Sequence, residues 1–148
     1  MRRIGRYCAG LALAAAVAAC SDDAAERRRA LGPHPSPGEA LRAADAGRGG
    51  RLFRQCAVCH AIGKGAVDRD GPNLFGVMGA PVAANSPRFA YTGVLRALGG
   101  TWTPERMDAW LAAPAKMAPG TRMAFPGVAD PLDRADIIAY LRTQADRP

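Results

Sequence analysis

Cys56-Ala57-Val58-Cys59-His60 decides how the rest of this 148-residue chain is read. On a helical turn, residues three and four apart lie on one face, so two thiols and one imidazole project together. That spacing suits covalent attachment of a c-type haem. The thiols reach the two vinyl groups of one porphyrin edge, and the histidine presents a nitrogen to the iron. A bare C-x-x-C also occurs as half of a zinc site or as a thioredoxin-like dithiol. Here no second Cys or His pair completes a zinc tetrad, and no strand–helix–strand pattern surrounds the motif.

Four helical signals flank the motif. The first covers residues 44–56, with Leu52 and Phe53 as apolar positions and Gly47, Gly49 and Gly50 as a surface that another helix can approach closely. The second, residues 91–100, spaces Val94, Leu95 and Leu98 helically after Thr92 as a cap. Thr103-Pro104-Glu105 opens the third, whose face is Met107, Trp110 and Leu111 and which Pro114 ends. The fourth carries the stripe Ile137, Ile138, Tyr140 and Leu141, with Asp133 and Asp136 read as an approximate capping box. Two Gly- and Pro-punctuated loops, residues 61–88 and 114–130, exceed ordinary connections and need something to wrap around. With 17 Gly, 12 Pro and only 6% aromatic residues, the composition argues against an aromatic-rich β-sandwich, and a small all-α domain is expected.

The N-terminal 44 residues read differently. Arg2, Arg3 and Arg6 precede the apolar run from Tyr7 to Ala19, which is long enough for a secretory leader and too short to span a bilayer. Val17-Ala18-Ala19-Cys20 resembles the lipobox of bacterial lipoproteins, so residues 1–19 are expected to be removed and Cys20 acylated. Residues 20–44 then read as a flexible tether. They are rich in Ala, carry balanced charge and are interrupted by Pro33, Pro35 and Pro37, with His34 a solvated loop residue. The folded domain is expected over 45–148. Of the formal net charge of +7, three arginines belong to the leader; the remaining +4 removes the main support for nucleic-acid binding.

From about Gly49 to Leu141 the chain resembles the class I c-type cytochromes, the small monohaem cytochrome c fold. The residues that carry the resemblance, besides the haem motif, are Gly49, Phe53, Gly71-Pro72-Asn73-Leu74, Phe89-Ala90-Tyr91-Thr92, Trp102, Pro119-Gly120-Thr121-Arg122-Met123-Ala124-Phe125 and Ile138-Ala139-Tyr140-Leu141. It implies crossed N- and C-terminal helices, with Phe53 meeting Tyr140 or Leu141, and long loops around one covalent haem c. It also implies His60 and Met123 as the two axial iron ligands and the Pro72 carbonyl as the acceptor of the second imidazole N–H. Tyr91, Trp102 and Thr121 are implied as partners of the haem propionates. Among five methionines, only Met123 follows a Pro-Gly turn. The chain departs from the family pattern at Ala80, Leu95 and Trp110, where arginine, asparagine and tyrosine are common, which leaves the propionates fewer polar partners.

Such a haem has both axial positions filled and moves single electrons. The resemblance implies a carrier rather than an enzyme, with no catalytic residues, on the periplasmic side of the bacterial envelope. It would pass electrons from a quinol-oxidising complex or a dehydrogenase to a terminal oxidase. Membrane-bound redox complexes are the expected partners, met through a weakly basic haem-edge surface including Lys64, Arg69, Lys116 and Arg122. Two alternatives stay open: a peroxidase-like or gas-binding haem protein if Met123 is labile, and a dedicated cytochrome subunit of a dehydrogenase.

Overall fold

Most helices begin where a short polar side chain can satisfy the first free backbone amides. The structure, a computed structural model, describes residues 23–146. It contains α1 (Asp23–Leu31), α2 (Pro37–Arg42), α3 (Ala46–Leu52) followed by a 3₁₀ turn (Phe53–Gln55), α4 (Gly93–Ala97), α5 (Pro104–Ala112), α6 (Pro114–Met117) and α7 (Pro131–Thr143). Ser36, Asp45, Thr92, Thr103 and Asp130 each accept from amides in the first turn of the helix that follows. Among the described residues the only bridge between extended segments is the isolated Pro81–Thr101 pair. The expected all-α class holds.

Two expectations are corrected. Residues 23–44 do not form a flexible tether: Asp23–Leu31 and Pro37–Arg42 are helical and pack on the C-terminal helix. Proline at the first helical position loses no intrahelical bond, and the Ser36–Glu39 capping box closes the start of α2. Ala40 is then buried. The other correction concerns α7, whose cap is Asp130, accepting from Leu132 N and Asp133 N, with Pro131 at the first position. Asp133 and Asp136 instead take arginines, and Asp136 is wholly buried, bonded by Arg27 and Arg48. The leader, residues 1–19, and Cys20 lie outside the described residues.

The organising contact is the crossing of α3 over α7. A Cβ on Gly49 would stand 1.9 Å from the Asp136 carbonyl oxygen, and one on Gly50 would touch the Tyr140 ring at 3.2 Å. Only glycine lets the two backbones meet there. Phe53 then packs on Tyr140 with ring centroids 5.3 Å apart. Ile137, Ile138 and Leu141 turn inward with Trp102, Met107, Trp110 and Leu111 from the α5 side. Several of these side chains end at a cavity rather than at one another, and the long loops close around it. Among the described residues no helix is long and apolar enough to cross a membrane.

Candidate functional site

The Cys56–His60 stretch continues the helical course past the 3₁₀ turn. Cys59 N bonds to Cys56 O at 3.1 Å and His60 N to Cys56 O at 2.9 Å. The turn is held from outside by the loop that follows. Gly71 N donates to Cys59 O at 2.9 Å, and the Arg69 guanidinium donates to Ala57 O at 2.9 Å. His60 Nδ1 donates to the Pro72 carbonyl oxygen at 2.8 Å. A carbonyl can only accept, so Nδ1 carries the proton and Nε2 keeps its lone pair free. Burial lowers the pKa of the imidazole while the bond to Pro72 raises it, with burial the larger effect. The neutral form, the one that ligates metal, is therefore favoured. A Cβ on Gly71 would lie 2.4 Å from His60 Cε1, so the ring sits directly against a glycine backbone.

Met123 lines a shared cavity of about 640 Å³ whose walls also include Cys56, Cys59, His60 and Pro72. Its loop runs from α6 to α7. Thr121 N bonds to Ala118 O, and Met123 N bonds to Thr121 Oγ1 at 3.3 Å. Arg122 reaches Ala90 O at 2.8 Å, joining this loop to the one that carries Tyr91. Tyr91, Trp102 and Thr121 all line the cavity. Trp102 and Trp110 pack with centroids 5.6 Å apart, forming part of an apolar wall. Tyr91 Oη accepts from Ser86 N, so its own hydrogen is free to donate, and Thr121 Oγ1, which accepts from Met123 N, is in the same position. Hydroxyl donors at a largely apolar cavity call for acceptors on whatever fills it.

A cytochrome c family model matches residues 46–145. The chain belongs to the cytochrome c family. It is similar to cytochrome c2 of Agrobacterium tumefaciens, with 38% identity over 66% of this chain and 89% of that protein. A cytochrome c homolog of Bradyrhizobium diazoefficiens is 35% identical over 73% of this chain and 59% of its own length. The chain spans about three fifths of the length of this and the similar Rickettsia cytochrome c homologs. The solved structure of cytochrome cH from Methylobacterium extorquens aligns with a TM-score of 0.63 and 40% identity, covering 67% of this chain and 98% of that one. Family membership implies a covalently bound c-type haem with iron.

The residues present fit that group. Cys56 and Cys59 are unpaired thiols that line the cavity. Burial pushes the Cys56 thiol up to about 11, away from the thiolate form that zinc binding and dithiol exchange use. Cys56, Cys59, His60 and Met123 would hold a haem, and Tyr91 and Thr121 have hydrogens to offer its propionates. At two departures from the family pattern, Leu95 and Trp110 are apolar at the cavity wall. At the third, Ala80 contributes its carbonyl oxygen to Trp102 N at 2.9 Å.

Sequence reasoning missed the frame behind these residues. Asn73 Nδ2 donates to Gly63 O and Ala66 O, while its Oδ1 accepts from Phe75 N. Asp68 accepts from Asn73 N at 2.7 Å and from Ser86 Oγ, tying the His60 loop to the Tyr91 loop. The signal for Asn73 was its place directly after Gly71-Pro72; nothing in the sequence marked Asp68 or Ser86. The expected basic rim is partly spoken for, since Lys64 pairs with Asp146, Arg69 braces Ala57 and Arg122 braces Ala90. Lys116 is exposed on α6.

Proposed function

We propose that this protein is a one-electron carrier of the bacterial cell envelope whose haem c takes His60 and Met123 as axial ligands. One observation carries the reading: a neutral, oriented imidazole and a thioether line the same largely apolar cavity as two unpaired thiols spaced for covalent attachment. When bound, such a group supplies reversible one-electron chemistry with no coordination position left open. The chain's own residues hold it and orient its ligands. Pro72 fixes the imidazole plane, Trp102 and Trp110 exclude water, and Tyr91 and Thr121 offer hydrogen bonds to anionic oxygens. Keeping both redox states in nearly one geometry makes electron exchange fast, and the compact helical frame serves that end.

Placement follows from the leader over residues 1–19 and the lipobox ending at Cys20, which direct export to the periplasmic side and acylation. The partners would then be membrane-bound complexes, a quinol-oxidising complex or dehydrogenase as donor and a terminal oxidase as acceptor, met through a small transient interface. The deciding measurement is the absorption spectrum of the purified protein. We expect a far-red iron–sulfur charge-transfer band in the oxidised form and no binding of carbon monoxide by the reduced form. A missing band together with ready carbon monoxide binding would instead establish an open iron and favour the peroxidase-like or gas-binding reading.

A further inference from the structure

The N-terminal pair of helices is held to the domain by two different forces. α2 is fixed by burial: Ala40 is 1% exposed and Leu41 packs against the core. α1 has no buried residue and holds on through its arginines. Arg27 donates to both oxygens of Asp136, at 2.8 and 3.2 Å, and to Ala43 O at 2.8 Å. Arg28 pairs with Asp130 and Asp133, each at 2.5 Å. The other charged groups of α1 do not oppose this contact. Asp23 pairs with Arg27 within the helix, and Glu26 and Arg29 are exposed.

The receiving carboxylates are not orphaned when α1 leaves. Asp136 keeps Arg48 at 2.6 Å and the Asp45 amide at 2.7 Å, and Asp133 keeps Arg48 at 2.8 Å. Asp130 keeps its cap amides on α7. Breaking a buried ion pair is costly mainly because it strands a charge, and here the protein supplies a second partner. We propose that α1 is an electrostatic latch and the 32–35 turn its hinge. The segment from Asp23 to Pro35 then alternates between a docked helix and a free arm according to ionic strength, while α2 stays fixed. Docked, this segment adds no reach; released, residues 23–35 extend to about 45 Å at ~3.3–3.6 Å per residue. The device sets how far the domain stands from whatever precedes Asp23, and it is independent of the haem ligation.

Hydrogen exchange followed by mass spectrometry on the haem-loaded full-length protein tests this, at ~20 mM and ~500 mM salt, which brackets strong and weak screening of surface charge. We expect α1 amides to exchange roughly tenfold faster at high salt while α2 and α7 amides hold their rates. Arg28→Gln, which leaves the buried Asp136 group intact, should produce the same acceleration at low salt. Protection of α1 that neither salt nor Arg28→Gln changes would overturn the latch, as would α2 opening together with α1. An α1 already unprotected at low salt would overturn it too.

Discussion

On the His60 side of the cavity the bonds join segments far apart in sequence, whereas on the Met123 side most join near neighbours. His60 Nδ1 reaches Pro72 O, Gly71 N reaches Cys59 O and Leu74 N reaches Ala61 O, each spanning twelve or thirteen residues. Around Met123 the bonds run from Thr121 N to Ala118 O, from Met123 N to Thr121 Oγ1 and from Phe125 N to Met123 O. Among the described residues, the Arg122–Ala90 bond is the one from residues 121–125 to a distant loop. One face is therefore set before any ligand arrives, because neutral imidazole, Pro72 and the C-x-x-C-H turn fix one another. The other face is a turn held mainly by its own local bonds and by the Arg122–Ala90 bond. If His60 and Met123 hold the iron as proposed, one rigid and one less constrained partner would let the site follow small changes in bond length between redox states.

The largest effect should come from breaking the rigid face. Gly71→Ala places a methyl 2.4 Å from His60 Cε1 and 2.7 Å from Nδ1, with backbone on one side and a fixed ring on the other. Neither can move without losing the Pro72 or Cys59 bond. We expect a loss of about 3 kcal/mol or more, typical of overpacking at a site that cannot relax. Thermal unfolding together with the fraction of chain carrying covalent haem would report it. A variant that loads haem fully and melts within a degree of the parent would show that this face is as compliant as the other.

Met123→Ala attacks the compliant face and should cost less stability, about 1–2 kcal/mol, because the side chain is only part-buried and its loop bonds run through the backbone. Its chemical effect should be complete. The far-red band should vanish, and the reduced protein should bind carbon monoxide. Haem attachment should persist, since both thiols and His60 remain. If Met123→Ala abolished haem loading as Gly71→Ala is expected to, the asymmetry between the two faces would be gone.

The residues legible in the sequence were those whose chemistry needs a fixed spacing or a rare residue. Cys56, Cys59 and His60 declared a cofactor by themselves, and Gly49 announced a close helix crossing that the 1.9 Å approach to Asp136 O explains. What escaped were partnerships between distant charges. Asp136 looked like a capping residue because it lies three positions after another aspartate near a helix start. Only the fold brings Arg27 and Arg48 onto it, and only the fold makes an attachment of Arg27 and Arg28. Pro33, Pro35 and Pro37 argued for a loose tether. Composition cannot say that one of those prolines sits at a first helical position with a capping box around it.

The smallest expected effect lies at Asp68, which joins the rigid face to the Tyr91 loop. Its carboxylate accepts from Asn73 N and Ser86 Oγ. The Asn73 amide bond lowers its pKa most; partial burial works the other way, and Ser86 and nearby Arg88 lower it further. A carboxylate with a lowered folded-state pKa contributes stability that is complete above the ordinary aspartate value of about 3.9 and fades as pH falls through the folded-state value. Asp68→Asn should therefore cost about 1 kcal/mol or less at neutral pH, discounted for solvent exposure, through the hydrogen bonds that a neutral amide makes less strongly. Denaturant unfolding at pH 7 and at successive steps below pH 4 should show the gap between parent and variant closing as the medium becomes more acidic. A gap that stayed constant with pH would mean that shape, not charge, joins the two loops, and the rigid face would then end at Asn73.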